Sequence, residues 1–140
     1  MYATRAQFET AFDRQELLEL CPNGAGGVDD EKITAALTRA SRLSDTYLSV
    51  RTSVPILSPS EELIGSVLDL ARYFLYDNSA TEEVVRRHDL AMRWFRDIAA
   101  GRAVLYSTAE DSESPANAVV VNSPSPIFTE SLIDKMVHRD

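Results

Sequence analysis

The sequence has little cysteine, no long apolar run and comparatively few positive charges, and each shortage excludes a class of protein. The single cysteine, Cys21, cannot form a disulfide within the chain. No apolar run approaches the roughly 20 residues that a membrane-spanning helix needs. The 14 Lys and Arg residues are outnumbered by 22 Asp and Glu residues, which gives a net charge of −8. That charge argues against binding to an anionic membrane or to nucleic acid, because binding to phosphates needs clustered basic side chains.

The rest of the composition is that of an ordinary folded protein. The chain has 140 residues, 44% of them hydrophobic and 26% charged, which fits one domain with a core of its own. Its first residues lead into an amphipathic stretch and show no secretion signal. We therefore expect a protein that folds in a cytoplasm. An acidic wall would still suit a passage for DNA, because it repels phosphate without holding it.

Capping signals predict helices throughout the first half of the chain. Thr4 with Gln7, and Asp13 with Glu16, predict two short N-terminal helices. Asp29 precedes a stripe of apolar residues at three- and four-residue steps, which predicts a longer helix. The apolar face of the first helix is expected to consist of Phe8, Ala11 and Phe12.

Two further helices are predicted in the middle of the chain. Ser58 with Glu61 forms a capping signal, and the helix after it is apolar around much of its circumference, so we expect it to be central or to face two neighbours at once. Ser79 with Glu82 predicts the start of the last helix, which Gly101 ends. The break between these two helices is short, which favours an antiparallel arrangement.

The character of the sequence changes after Gly101. Residues 118–121 are a β-branched run between turn-forming residues, and residues 129–137 have the pattern of a short helix. A lone strand is marginal in water, so the run needs residues 104–106 or another chain as its partner. We predict a mainly α protein: a small antiparallel helical bundle at 1–103, and an extended C-terminal arm at 104–140 with a short β segment and a short terminal helix.

No residue pattern indicates catalysis, a cofactor or a metal site. The glycine-rich loop 23–29 has neither the lysine of a phosphate-binding loop nor the alternating oxygen ligands of a calcium loop, so we interpret it as a linker. Cys21 is interpreted as a small residue that closes a helix, and His88 as a partly buried, hydrogen-bonded side chain on an apolar helix face. We therefore expect no enzyme, no cofactor and no metal.

Four strings carry a resemblance to a known family. They are MYAT at 1–4, DLARYFLYD at 69–77, TEEVVRRH at 81–88 and LAMRWFRDIAAG at 90–101. In this order they resemble the Mu-like phage and prophage head–tail adaptor (connector) proteins, and the resemblance covers most of residues 1 to 106. Many relatives carry an Asp-rich, calcium-loop-like turn after the second short helix; this sequence keeps the glycines but lacks the aspartates.

The resemblance implies a structural virion protein of the head–tail neck, made in the host cytoplasm. Such adaptors form a homo-oligomeric ring, typically a dodecamer, below the portal protein. The ring extends the DNA channel and gives the next neck, stopper or tail protein a docking surface. Double-stranded DNA would pass through without specific binding. The alternative is a small cytoplasmic helical regulator that binds one protein and has no role in the virion.

Two sets of residues are the candidate contact sites. The apolar anchors of the C-terminal arm are suited to strand addition or groove insertion, and we assign them to portal docking unless the arm folds back on its own bundle. They are Val119, Val120, Val121, Ile127, Phe128, Leu132, Ile133 and Met136. Arginines on the middle helices form a solvated or subunit-contacting face. The subunit-contact candidates are Arg72, Arg86, Arg93 and Arg96.

Overall fold

The computed structural model describes residues 1–106, and this part of the protein is mainly α-helical, as expected. Its helices are α1 (Arg5–Ala11), α2 (Arg14–Leu20), α3 (Asp30–Leu48), α4 (Glu61–Leu75) and α5 (Glu82–Ala99). Within these residues no β-strand forms, although an isolated antiparallel bridge joins Pro22 and Val28. No helix in this range is long and apolar enough to cross a membrane.

The first three helices begin where their caps predict. Thr4 forms a complete capping box with Gln7 at the start of α1. The Asp13 carboxylate accepts the first amides of α2, and the Asp29 carboxylate does the same for α3. These side chains satisfy amide groups that have no partner inside the helix. The local sequence therefore fixes these three starts.

The caps of α4 and α5 differ from the predicted residues. Ser60 and not Ser58 caps α4, because the Ser60 hydroxyl accepts the Leu63 amide at 3.3 Å. Thr81 and not Ser79 caps α5, because the Thr81 hydroxyl accepts the Val84 amide at 3.3 Å. The Ser79 hydroxyl instead donates to the Tyr76 carbonyl just beyond the end of α4. In both cases the cap immediately precedes the helix, two residues later than predicted.

The core is built by the three long helices. α3 contacts α4 and α5, α4 contacts α5, and α1 contacts α3. Every residue of α4 from Leu63 to Leu75 is at least partly buried, and the helix faces two neighbours, α3 and α5. Burial of one large apolar side chain contributes roughly 1.5–3 kcal/mol. The large, fully buried side chains include Phe8, Leu17, Ile33, Leu37, Leu48, Leu63, Val67, Leu70, Val84, Phe95 and Ile98.

The apolar face of α1 is narrower than predicted. Phe8 and Phe12 are buried and pack edge to face with their ring centroids 4.9 Å apart, but Ala11 is exposed. The prediction for Ala11 is wrong because α1 ends there and Phe12 lies in an extended conformation (φ −123°). The turn of the backbone, and not helical spacing, therefore brings Phe12 to the core.

The N-terminus is held against α3 by Tyr2. Its amide donates to Ser41 Oγ at 3.0 Å, and its hydroxyl donates to the Asp45 carboxylate and accepts the Ile56 amide at 3.0 Å. Burial and the hydrogen bond to Asp45 raise the pKa of Tyr2 to about 12. These contacts tie the first residues to α3 and to the connection between α3 and α4.

The loop between α2 and α3 is organised by one side chain. Asn23 Oδ1 accepts the amides of Ala25 and Gly27 at 2.7 and 3.0 Å. The backbone amide of Asn23 in turn donates to the Gly27 carbonyl at 2.9 Å. Gly24 and Gly26 have positive φ angles of 82° and 85°, which favour glycine. These internal hydrogen bonds account for the loop's shape as a connection between two helices.

The end of α5 closes the compact unit Met1–Leu105. Gly101 follows the helix with φ +79°, as expected for a C-terminal glycine. Arg51 Nε donates to the Ala99 carbonyl at 3.2 Å, which joins the ends of α3 and α5. Val104, Leu105 and Tyr106 belong to no helix or strand. The predicted β segment, terminal helix and portal-docking anchors (Val119 to Met136) lie outside the described residues.

Candidate interaction surface

The four arginines named as subunit-contact candidates occupy two different environments. Arg72, on α4, forms an ion pair with Glu16 of α2: Nε lies 2.7 Å from Oε1, and Nη2 lies 3.0 Å from Oε2. Only 11% of the Arg72 side chain and 18% of the Glu16 side chain are exposed. The Arg72 guanidinium also covers the Phe12 ring, 4.8 Å from its centroid. Arg72 therefore serves contacts inside the domain, and we leave it out of the candidate surface.

Tyr76 completes the cluster around Glu16 by donating its hydroxyl to Oε1. Burial alone would raise the pKa of Glu16, but the hydrogen bonds from Arg72 and Tyr76, with the charge of Arg72, lower it below its usual value. Burial and the hydrogen bond to Glu16 raise the pKa of Tyr76 to about 12. These contacts stabilise Glu16 in its charged form and Tyr76 in its neutral form. The cluster therefore links α2 to α4 at neutral pH.

Arg86, Arg93 and Arg96 lie on the exposed side of α5. Within residues 1–106, none of the three side chains has an ion pair, a hydrogen bond or an aromatic partner. Their neighbours on this side include Leu90, which is 57% exposed, and Val85, which is 37% exposed. We call Val85, Arg86, Leu90, Arg93 and Arg96 the arginine face.

The arginine face is one continuous stripe because of helix geometry. Residues three, four and seven positions apart lie on the same side of an α-helix, and Arg86, Leu90 and Arg93 follow that spacing. The opposite side of α5 is buried through Ala91, Phe95 and Ile98. The helix is therefore amphipathic, with two aliphatic side chains left on its charged side.

Several other charged residues of α5 have partners within the described residues. Arg87 lies 3.5 Å from Asp69 and 3.9 Å from Glu83. Asp89, which lies between the arginines, is 2.9 Å from His88 Nδ1. The exposed Glu82 lies beside the same face. The three arginines of the face therefore exceed the two carboxylates next to them, Glu82 and Asp89, by one charge on an acidic protein.

Cys21 and His88 have the structural roles that the sequence indicates. Cys21 is fully buried after α2, and its Sγ donates to the Leu17 carbonyl at 3.2 Å. Burial and the nearby charge of Asp29 raise the pKa of the Cys21 thiol, which disfavours the reactive thiolate. His88 is half-buried and stacks on Tyr73 with 3.9 Å between ring centroids.

Sequence reasoning missed one contact that removes Arg72 from this surface and one residue that belongs to it. The contact of Glu16 with Arg72 joins residues 56 positions apart, and no local pattern indicates it. Leu90 could have been found, because a leucine between Arg86 and Arg93 on the same helical stripe departs from a purely solvated face.

Comparison with known proteins places the chain among phage proteins. Residues 2–123 match the family described as "Bacteriophage Mu, Gp36". A curated relative, "Mu-like prophage FluMu protein gp36" of Haemophilus influenzae (strain ATCC 51907 / DSM 11121 / KW20 / Rd), is 30% identical over 90 residues. The aligned region spans 64% of this chain and 63% of the relative. The family match includes all five helices of the described region.

Proposed function

The chain belongs to the Bacteriophage Mu Gp36 family, and from that premise we propose that it is a structural virion protein of the head–tail neck. In this proposal it is an adaptor, or connector, whose copies form a ring below the portal. The ring extends the DNA channel and offers the next neck or tail protein a docking surface. The observation that carries the proposal is the family match over residues 2–123. The narrower role of adaptor rests on the resemblance of the four strings named above.

The described part of the molecule suits a component of a ring wall. Its core closes within Met1–Leu105, with a buried interior and long helices that contact one another. A body of this kind can keep its shape while its outer surfaces contact neighbouring subunits. The arginine face supports the same proposal, because it is an exposed, partly apolar surface with unsatisfied charge.

The overall charge suits a channel that DNA must traverse. At −8, the chain repels the phosphate backbone, so a ring of many copies would present a field that disfavours lasting DNA contacts. The reactive groups in the described region do not suggest an enzyme: the Cys21 thiol is buried with a raised pKa, and His88 is stacked on Tyr73. We propose a non-enzymatic role without a cofactor.

Deletion of the gene from the phage or prophage that encodes it tests the proposal. We expect DNA-filled heads and separate tails that fail to join, visible by negative-stain electron microscopy. Mass spectrometry of purified wild-type particles should detect the protein at a ratio of several copies per portal ring. Its absence from particles, with joined heads and tails in the deletion strain, would favour the alternative of a cytoplasmic regulator.

The arm is the proposed attachment to the portal. A protein truncated after Tyr106 should keep the helical content of the compact unit but lose binding to purified portal rings. The full-length protein with Val120→Asp and Ile133→Asp is a second test and should also lose binding, since it keeps the length of the arm and removes two apolar anchors. Portal binding that survives both changes would reject the assignment of Val119 to Met136 as docking residues.

A further inference from the structure

A second charged surface, of opposite sign, lies where α1 meets the start of α3. Arg5 is its centre: Nη2 lies 3.1 Å from Glu9 Oε1, and Nη1 lies 2.8 Å from Asp30 Oδ2. Glu31 follows on α3, is exposed, and has no ion pair within residues 1–106. We call Glu9, Asp30 and Glu31 the acidic edge. Two of its three carboxylates share the Arg5 guanidinium and the third has no ion pair within these residues, so the edge keeps an excess of negative charge.

The acidic edge and the arginine face belong to opposite flanks of α3. Ser41 and Asp45 of α3 bind Tyr2, on the flank that carries the N-terminal segment. Tyr47 of α3 stacks on Phe95 of α5, with ring centroids 6.5 Å apart. Two residues along an α-helix correspond to a rotation of about 200°, so the side chains at 45 and 47 point in nearly opposite directions. The N-terminal segment with α1 therefore packs on one flank of α3, and α5 packs on the other.

We propose that the arginine face of one subunit binds the acidic edge of a second copy of this chain. The inference rests on the proposed ring function and names the contact that would build the ring. Contacts between two different surfaces generate a closed ring when the rotation between subunits closes. The positions of the two surfaces on opposite flanks of α3 allow such a head-to-tail contact between neighbouring copies.

Charge complementarity selects a second copy as the occupant. The arginine face offers three guanidinium groups without a partner in the described region, and the acidic edge offers a surplus of two carboxylates. Neither surface can satisfy the other within one chain, because α3 separates them. Leu90, exposed between Arg86 and Arg93, would be covered by the contact and would add apolar burial at its centre.

Nucleic acid fits the arginine face less well than a protein surface does. The face includes two aliphatic side chains, and Asp89 lies among its arginines. The chain as a whole carries a charge of −8, which opposes approach to a phosphate backbone. A second copy also carries −8, so the contact depends on local pairing of the two surfaces, and that pairing should weaken as salt is added.

Reversal of single charges in the full-length protein tests the contact. Sedimentation velocity at low salt should show self-association of the wild type, weakened about tenfold or more by Arg93→Glu and, separately, by Glu31→Arg. The two substitutions combined in one chain should restore it, because the interacting charges are exchanged. Arg14→Glu is the matched control: it makes the same charge change on an exposed α2 residue outside both surfaces, and it should have no effect. Circular dichroism checks that all variants fold.

Recovery in the combined variant supports the pairing of the two named surfaces. Loss with Arg93→Glu alone, with Glu31→Arg silent, would overturn the acidic edge as the occupant, as would duplex DNA binding that Arg93→Glu abolishes. A wild type that stays monomeric at millimolar concentration would overturn the inference too. A protein found in the neck, with Arg93→Glu particles assembling normally, would reject the contact and leave the proposed function standing.

Discussion

The α2–α4 contact and the outer side of α5 use the same residue type for different purposes. At the first, Arg72 is nearly enclosed, forms two hydrogen bonds to Glu16 and covers Phe12. At the second, Arg86, Arg93 and Arg96 are exposed and have no partner within residues 1–106. An arginine withdrawn from water must be paired, whereas an exposed one is solvated and remains available. The difference separates arginines that hold this domain together from arginines that can bind something else.

The largest expected effect is loss of packing at the α2–α4 contact. Phe12→Ala removes a buried ring that contacts Phe8 and the Arg72 guanidinium, and it should lower the free energy of unfolding by about 3–5 kcal/mol. Leu90→Ala, on the arginine face, should change it by less than about 0.5 kcal/mol because Leu90 is exposed. Urea unfolding followed by circular dichroism measures both. Similar losses of unfolding free energy in the two variants would contradict the distinction between the α2–α4 contact and the arginine face.

The second-largest effect on the free energy of unfolding should come from loss of the Arg72–Glu16 ion pair. Arg72→Met leaves the Glu16 carboxylate poorly solvated and without its charged partner, and we expect a cost of about 2–4 kcal/mol. The matched control is Arg93→Met, which makes the same chemical change on an exposed residue and should cost less than about 0.5 kcal/mol. A double-mutant cycle of Arg72→Met with Glu16→Gln should show coupling between the two residues. Additive effects would mean that the pair contributes little beyond packing.

Acid and alkali should weaken the same contact by smaller amounts. The pKa of Glu16 is lowered by folding, so its stabilising contribution is present above its unfolded pKa and is lost as pH falls through the folded value. The pKa of Tyr76 is raised to about 12, so its contribution is present below its unfolded pKa near 10 and is lost as pH rises through the folded value. Both losses should be smaller than that of Arg72→Met. In acid a protonated Glu16 still accepts hydrogen bonds, and in alkali the ion pair of Arg72 with Glu16 remains.

Unfolding free energy measured from pH 6 down to 2 tests the acidic limb. Glu16→Gln should flatten the part of the slope that Glu16 contributes, and Tyr76→Phe should do the same for the alkaline limb between pH 10 and 12. Tyr2, whose pKa is also about 12, keeps its own contribution in the Tyr76→Phe variant. An unchanged acid slope in Glu16→Gln would show that Glu16 titrates alike in the folded and unfolded chains.

The sequence predicts the helices better than it predicts the partners of their charged residues. Thr4, Asp13 and Asp29 mark three helix starts, because a cap depends on groups within three residues of it. Ser58 and Ser79 are wrong caps because serines or threonines at neighbouring positions offer equivalent hydroxyls, and tertiary packing decides between them. The separation of Arg72 from Arg86 is not predictable locally, because the Glu16 partner comes from a distant helix.

The smallest expected effect concerns the arginine face alone. Arg86→Gln combined with Arg93→Gln changes the net charge from −8 to −10, since two positive charges are removed, and should change the unfolding free energy by less than about 0.5 kcal/mol. The physical reason is that neither side chain has a partner to lose within the described region. Thermal unfolding at low and high salt measures this, with Arg14→Gln as a single-charge control. A loss above 1 kcal/mol that disappears after truncation at Tyr106 would show that residues beyond 106 bind these arginines, and the contrast between the two regions would then be one between two internal contacts.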